Sequence, residues 1–311
     1  MWPTLSLFLA RVDQMRLDTI SLKGWLALAL VPLAIFAVFY VIPVFQLFWL
    51  SLSRFDPSVG IIPAVDPGYF IEFLTDGYYL GILGRTVFVS LAATLATAIL
   101  AYPLAIYLLT SKGWRQTGLL IALVLPLVTS SIVVSYGWLI LLGQKGLVND
   151  LAMGLGLTSE PLQLMYTDTG IVIGLTHVLL VFMTLSVAAS LQGIDANLAK
   201  AARSLGATPW TTFRKITFPL TLPGLRTGCL LVFSLSMSAY ATPVLIGGSR
   251  RKVLSYLIYQ QSSSLLNWPF AAAMAVILLV STLGIVGFVR LYERVRKNAA
   301  QRGAVAVEAG R

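Results

Sequence analysis

Few side chains in this chain could carry covalent chemistry. Of 311 residues one is histidine, His177, and one is cysteine, Cys229, both inside apolar runs. A lone cysteine forms no intrachain disulfide and no CxxC metal site; it reads as a small packing residue. Serines are abundant, but no GxSxG elbow, HExxH motif or carboxylate pair accompanies them, so catalysis is not expected. His177 reads as a packing histidine with one local partner. No GxxxxGK[ST] phosphate loop occurs, so neither cofactor nor metal is expected on this chain. What remains are hydrogen-bonding and aromatic groups inside apolar stretches. Tyr136, Trp138, Ser236, Tyr240 and Thr242 are candidates for a solute path, with Thr184, Ser186 and Ser238 nearby, because polar groups held in lipid often mark one. The competing reading is that Ser and Thr bond back onto their own helix and that Tyr and Trp mark interfaces.

A second constellation points to mechanical work. Asp195 can N-cap a helix over 196–205. Ala201, Ala202, Leu205 and Gly206 fall on one side of it by i, i+4 spacing, a flank bare enough for another surface to approach. Gly206 ends the helix; Thr208 and Pro209 start another, as cap and first-turn residue. Pro219 and Pro223 are expected to bend its return to the apolar region.

The elements that must position these groups follow from composition. The chain is 58% hydrophobic and 11% charged, with mean hydropathy +0.86. A soluble domain carries about 25% charged residues, so lipid is the expected solvent. Six stretches, 24–52, 86–110, 117–142, 169–191, 227–247 and 270–289, reach the ~20 apolar residues that a helix needs to cross a bilayer. Backbone groups in lipid must be satisfied internally, so these are helices. Pro32, Pro43, Pro103, Pro126 and Pro243 are each expected to kink one.

Lysine and arginine set the orientation. With both termini cytoplasmic, sixteen of the 22 lie inside and six outside; the cluster Arg250, Arg251, Lys252 is the local exception. The basic excess is spread over short loops, so a membrane rather than nucleic acid is expected as partner. The loops at 53–84 and 143–168 are acidic and could offer an outside partner a surface or be simply solvated. Residues 1–23 read as a cytoplasmic or interfacial segment, an amphipathic helix or a frayed tail, and not as a cleaved signal. Residues 24–291 form the membrane domain, and 292–311 a basic cytoplasmic tail.

Lys200-Ala201-Ala202, Gly206, and then Ile216-Thr217-Phe218-Pro219 nine residues on, resemble the EAA loop of binding-protein-dependent ABC importer permeases. The family pattern is Glu-Ala-Ala, three residues, Gly, nine residues, Ile-x-Leu-Pro. Six of its eight specified positions match, within the long loop 192–226. The order of spans, Thr242-Pro243-Val244-Leu245-Ile246-Gly247-Gly248 and Asn267-Trp268-Pro269-Phe270 are similar to the spermidine/putrescine branch. The resemblance implies an all-α, type I importer permease fold in a bacterial inner membrane. It implies that Lys200, Ala201, Ala202, Leu205, Gly206, Ile216 and Pro219 couple to separate ABC ATPase subunits, which hold ATP and Mg. It also implies a second permease subunit, here a heterodimer, and an extracytoplasmic substrate-binding protein. Lys200 stands where the family has Glu and Phe218 where it has Leu, so any charge pairing at the first position is altered. An ion-coupled secondary transporter is the alternative, but it would be expected to show intramembrane ionisable groups.

Overall fold

A computed structural model describes residue 30 and residues 32–309; the expected segment 1–23 and the start of the first span lie outside them. Among the described residues five helices are long and apolar enough to cross a membrane, or six if one bent pair is counted as a span.

Residues up to Leu50 and residues from Ser51 onward form two compact units. The first unit holds nearly all of α1 (Pro32–Ser51), an apolar helix whose side chains are largely exposed. It widens to π geometry over Ala37–Val41, where Ile42 N–H bonds to the Ala37 carbonyl. Pro43 follows two residues later.

The second unit opens with a hairpin, β1 (Arg54–Asp56) against antiparallel β2 (Gly60–Ile62). Asp56 closes the turn by accepting from Ser58 N–H at 2.8 Å, and Gly60 supplies a left-handed φ of 92°. Hydrogen bonds from Ser58 hold the Asp56 carboxyl below its usual pKa. Arg54 does the same for Asp66, which also accepts from Gly68 N–H at 2.9 Å. Then α2 (Gly68–Thr75) inserts Phe73, fully buried, among Ile82, Leu254, Phe270 and Met274. The first acidic loop is thus a folded element with its own apolar underside.

The core is three helices: α3 (Gly77–Thr110), α7 (Asp168–Gln192) and α9 (Pro209–Ser238), packed pairwise. Asp76 caps α3 by accepting from Tyr78 N–H at 2.8 Å, and Thr167 caps α7 by accepting from Gly170 N–H at 3.2 Å. Glycines set the close approach. A Cβ at Gly228 of α9 would meet Met183 Sδ at 2.5 Å, and one at Gly224 would overlap Ser186 O and Ser190 of α7. Small-xxx-small pairs of this kind let membrane helices approach backbone to backbone. The last span opens α11 (Trp268–Ala309), so the expected basic tail continues the same helix.

Two expectations are corrected. The run 117–142 is not one straight helix but α4 (Trp114–Val128) and α5 (Ser131–Leu141), bent by 107°. The bend sits at the extended Thr129 and at Ser130 rather than at Pro126. Hydroxyls satisfy backbone around the break: Thr129 Oγ1 donates to Leu125 O at 2.9 Å and Ser135 Oγ to Ser131 O at 2.7 Å. The span placed at 227–247 instead begins at Pro209 and ends at Ser238. After an extended Ala239, a separate π segment, Pro243–Gly247, follows.

Pro103, Pro126, Pro219 and Pro223 lie within helices that continue past them. Pro103 lies inside the unbroken α3. Pro219 and Pro223 lie inside α9, and Pro219 follows a π segment, Phe213–Thr217, at the same two-residue offset as Pro43 in α1. A proline lacks the N–H and crowds the preceding turn. An i→i+5 turn just before it widens the helix, here with Phe218 N–H donating to Phe213 O.

Candidate functional site: an exposed turn between helices and polar pairs in the spans

The helix α8 (Ala196–Ser204) forms where the spacing predicts, with Asp195 accepting from Asn197 N–H at 2.9 Å. Its end is a left-handed turn. Gly206 has φ 82°, its N–H reaches Arg203 O at 2.9 Å, and Ala207 N–H reaches Ala202 O at 3.0 Å. Thr208 then caps α9 by accepting from Thr211 N–H at 3.2 Å, with Pro209 in its first turn.

The flank of α8 differs from the sequence expectation in one residue. Ala202 is buried against its own chain, while Leu198, Ala201 and Leu205 are exposed, Leu205 by 89%. The spacing i, i+3, i+7 makes these three one apolar stripe on one helix face. Lys200 and Arg203 are exposed beside it, and a Cβ at Gly206 would meet nothing within 4 Å. Ile216 and Pro219 lie beyond this face, on α9, half-buried and exposed respectively.

Sequence reasoning missed how this turn is tied to the spans. Trp210, 68% exposed, stacks on Phe213 at 5.5 Å, and Tyr102 of α3 meets Phe213 edge-on at 5.4 Å and Phe218 at 5.8 Å. Tyr102 Oη and Thr221 Oγ1 are 2.8 Å apart, and Thr221 donates to Phe218 O. Three aromatics crowded at the start of α9 were visible in the sequence; their partner on α3 was not.

The five candidate path residues do not form one cluster. Trp138 Nε1 donates to His177 Nδ1 at 3.2 Å, joining α5 to α7. This leaves the second imidazole nitrogen free for a partner beside a cavity of about 330 Å³ along the bent span, lined by Pro126, Thr129, Gly137 and Leu141 among others. Thr242 shares a 3.0 Å hydrogen bond with the buried Ser135. Tyr240 packs on Tyr259 at 4.8 Å. Ser236 is buried, and its hydroxyl lacks a partner, as do those of Ser90 and Thr176. Tyr136, adjacent to the buried Ser135, is 52% exposed. Thr184, Ser186 and Ser238 bond back to backbone carbonyls of their own helices. Among the described residues no group of three or more His, Cys, Asp or Glu could hold a metal.

At the opposite end of α7 from Gln192, Asp168 lies between two guanidinium groups, Arg85 Nε at 3.8 Å and Arg251 Nη1 at 3.6 Å. Arg85 Nη1 also donates to Lys252 O at 3.5 Å. The basic cluster that departs from the loop-charge pattern is therefore built into the fold.

Known proteins are similar to this chain in sequence and in fold. Residues 3–297 match the family described as binding-protein-dependent transport system inner membrane component. The spermidine/putrescine transport system permease protein PotB of Escherichia coli (strain K12) is 34% identical over 245 residues, 75% of this chain and 89% of that protein. The inner membrane ABC transporter permease protein YdcU of the same organism is 30% identical over 282 residues, 86% of this chain and 89% of that one. In fold, the chain is similar to one of a bacterial ABC transporter involved in the import of the acidic polysaccharide alginate. The TM-score is 0.70 at 20% identity, over 88% of this chain and 96% of that one.

Proposed function

The chain belongs to the binding-protein-dependent transport system inner membrane component family and is a multi-pass ABC importer permease subunit; from that premise we propose how it works. It forms half of a translocation path in a bacterial inner membrane, with a second permease subunit as the other half. Both termini and the loop 192–226 face the cytoplasm, where ATP is hydrolysed by separate subunits. A solute-binding protein delivers cargo from outside. The cargo is a polyamine-type solute, a reading supported by the names of relatives such as the spermidine/putrescine permease. The neighbouring fold has been crystallised with a substrate-bound periplasmic protein, which agrees with the delivery step.

One observation carries the coupling reading. The helix α8 presents an apolar stripe, Leu198, Ala201 and Leu205, that its own chain leaves uncovered. An exposed apolar stripe rimmed by polar residues is the kind of surface that marks an interaction site. The turn after it enters a helix of 30 residues, Pro209–Ser238, about 45 Å of continuous rod at 1.5 Å per residue. Motion of α8, seated in the groove of a closing ATPase, passes along this rod to the π segment at its far end. Through Tyr102 and Thr221 it also passes sideways to α3. The bundle then alternates between states open to each side, a rocking motion of packed elements.

The test is reconstitution of the permease pair, ATPase and binding protein in liposomes. ATP-dependent uptake of labelled spermidine or putrescine is expected. Uptake of a different solute alone would overturn the cargo; uptake driven by an ion gradient without ATP would overturn the coupling and restore the secondary-transporter alternative.

A further inference from the structure

We propose that Arg85, Arg250, Arg251 and Lys252 form a preorganised basic platform, edged by Tyr78 and Tyr166, that receives an acidic face of the solute-binding protein. The proposal rests on the orientation and assembly argued above and assigns the chemistry of one contact within it.

Three consecutive cations on the outside run against the charge bias that orients membrane proteins. Asp168 pairs loosely with Arg85 at 3.8 Å and with Arg251 at 3.6 Å, one through each oxygen. Lys252 Nζ lies 3.4 Å from Tyr78 Oη and 5.5 Å over the Tyr256 ring. The strand of chain beneath is pinned, with Leu254 N–H donating to Thr86 Oγ1 at 2.9 Å. One carboxylate thus faces two of the four cations, and Arg250 is exposed.

A second observation is independent of charge. Tyr166 is a non-glycine residue at φ 60°, held there by its N–H on Ile246 O at 2.9 Å, and its ring is 45% exposed. That ring lies against Gly248, where a Cβ would come within 2.9 Å of it. Gly247, beside it, would place a Cβ 3.4 Å from the Arg251 Cβ. A strained backbone that displays an aromatic side chain next to paired guanidinium groups is a feature of recognition sites. Arginine and tyrosine are the residues enriched in protein interfaces, and lysine and serine are not. Lipid headgroups are met by flexible side chains that reach for them; this array is braced before anything binds, which lowers the ordering cost of docking a rigid partner.

The experiment uses the assembled transporter in nanodiscs and reads ATPase stimulation against the concentration of loaded binding protein. Double reversal, Arg250→Glu with Lys252→Glu, is expected to raise the half-saturating concentration at least tenfold near 50 mM salt. The difference should shrink near 500 mM, where charges are screened over about 4 Å. Arg250→Glu alone, at an exposed site, should give about threefold and serves where the double variant folds poorly. Arg250→Cys should react with a membrane-impermeant maleimide from the outside. Labelling from outside with an unchanged half-saturation overturns the platform but leaves the orientation standing; no labelling overturns both. A change that follows the anionic lipid content of the nanodisc, and not the binding protein, also overturns the proposal by assigning the patch to lipid.

Discussion

Gly206 separates two costs that are usually confounded, backbone strain and lost docking. At φ 82° it occupies the left-handed region, where a Cβ costs about 1–2 kcal/mol. That cost is set at Cβ, so Gly206→Ala and Gly206→Trp pay it equally. The added Cβ itself meets nothing of its own chain within 4 Å. The indole of Gly206→Trp therefore extends beside Leu205 into the space assigned to the ATPase groove. With about 1.4 kcal/mol for each factor of ten, Gly206→Ala should weaken ATPase retention by roughly tenfold or less. Gly206→Trp should lose it by more than a hundredfold, together with ATP-driven uptake. The assay is the ATPase-to-permease ratio after affinity purification, paired with the thermal stability of each permease variant alone. Equal stability of the two variants is expected. Retention by Gly206→Trp within about threefold of Gly206→Ala would refute the assignment of this turn to docking, since strain alone would then explain both.

Three further outcomes follow from the same structure. Gly224→Ala should destabilise the bundle by about 1–3 kcal/mol through overpacking against Ser186 and Ser190, whereas Gly118→Ala, where nothing lies within 4 Å, should be neutral or stabilising by up to about 1 kcal/mol through helix propensity; detergent unfolding of the two variants compares them directly. Tyr102→Phe removes one hydrogen bond while Thr221 keeps its bond to Phe218 O, so a loss of about 1 kcal/mol is expected; Tyr102→Ala, which also strips the ring from Phe213 and Phe218, should keep ATPase activity but reduce the transport obtained per ATP hydrolysed. Asp66 has its folded-state pKa depressed by the Arg54 hydrogen bond, so its contribution is present above the ordinary carboxylate pKa and is lost as pH falls through the depressed value; proteolysis of the 54–67 loop should rise in that acidic window, and Arg54→Ala should move the rise to higher pH.

The spans and the turn after α8 were legible because their signals are local. Apolar length gives a crossing, and Asp195, Gly206, Thr208 and Pro209 give the ends of two helices within a few residues of where they act. The breaks at Thr129–Ser130 and at Ala239 were not legible. Hydropathy sums apolar character along a run and carries no information on direction, so a bent pair and a straight span of the same length read alike. The two π segments ahead of Pro43 and Pro219 escaped for a related reason: the sequence shows the proline's conflict with the helix, but not whether it is resolved by a kink or by widening. The polar pairs escaped because their partners are distant: Trp138 and His177 are 39 residues apart, Ser135 and Thr242 107, and Tyr102 and Thr221 119. The expectation that Ala202 shares the bare flank with Ala201 rested on i, i+4 spacing alone. Adjacent residues on a helix differ by about 100°, enough to turn one alanine outward and the next inward.

The sharp bend between α4 and α5 has a consequence for how this crossing is held. Fifteen residues of α4 and eleven of α5 reach about 22 Å and 17 Å, each short of the ~30 Å hydrocarbon layer. Neither half can enter the bilayer as a stable crossing by itself. A crossing at this place takes both halves together, and the bend is held by contacts that α5 makes with residues later in the chain, Trp138 with His177 and Ser135 with Thr242. Damage to His177 or Thr242 is expected to show first as a looser bend.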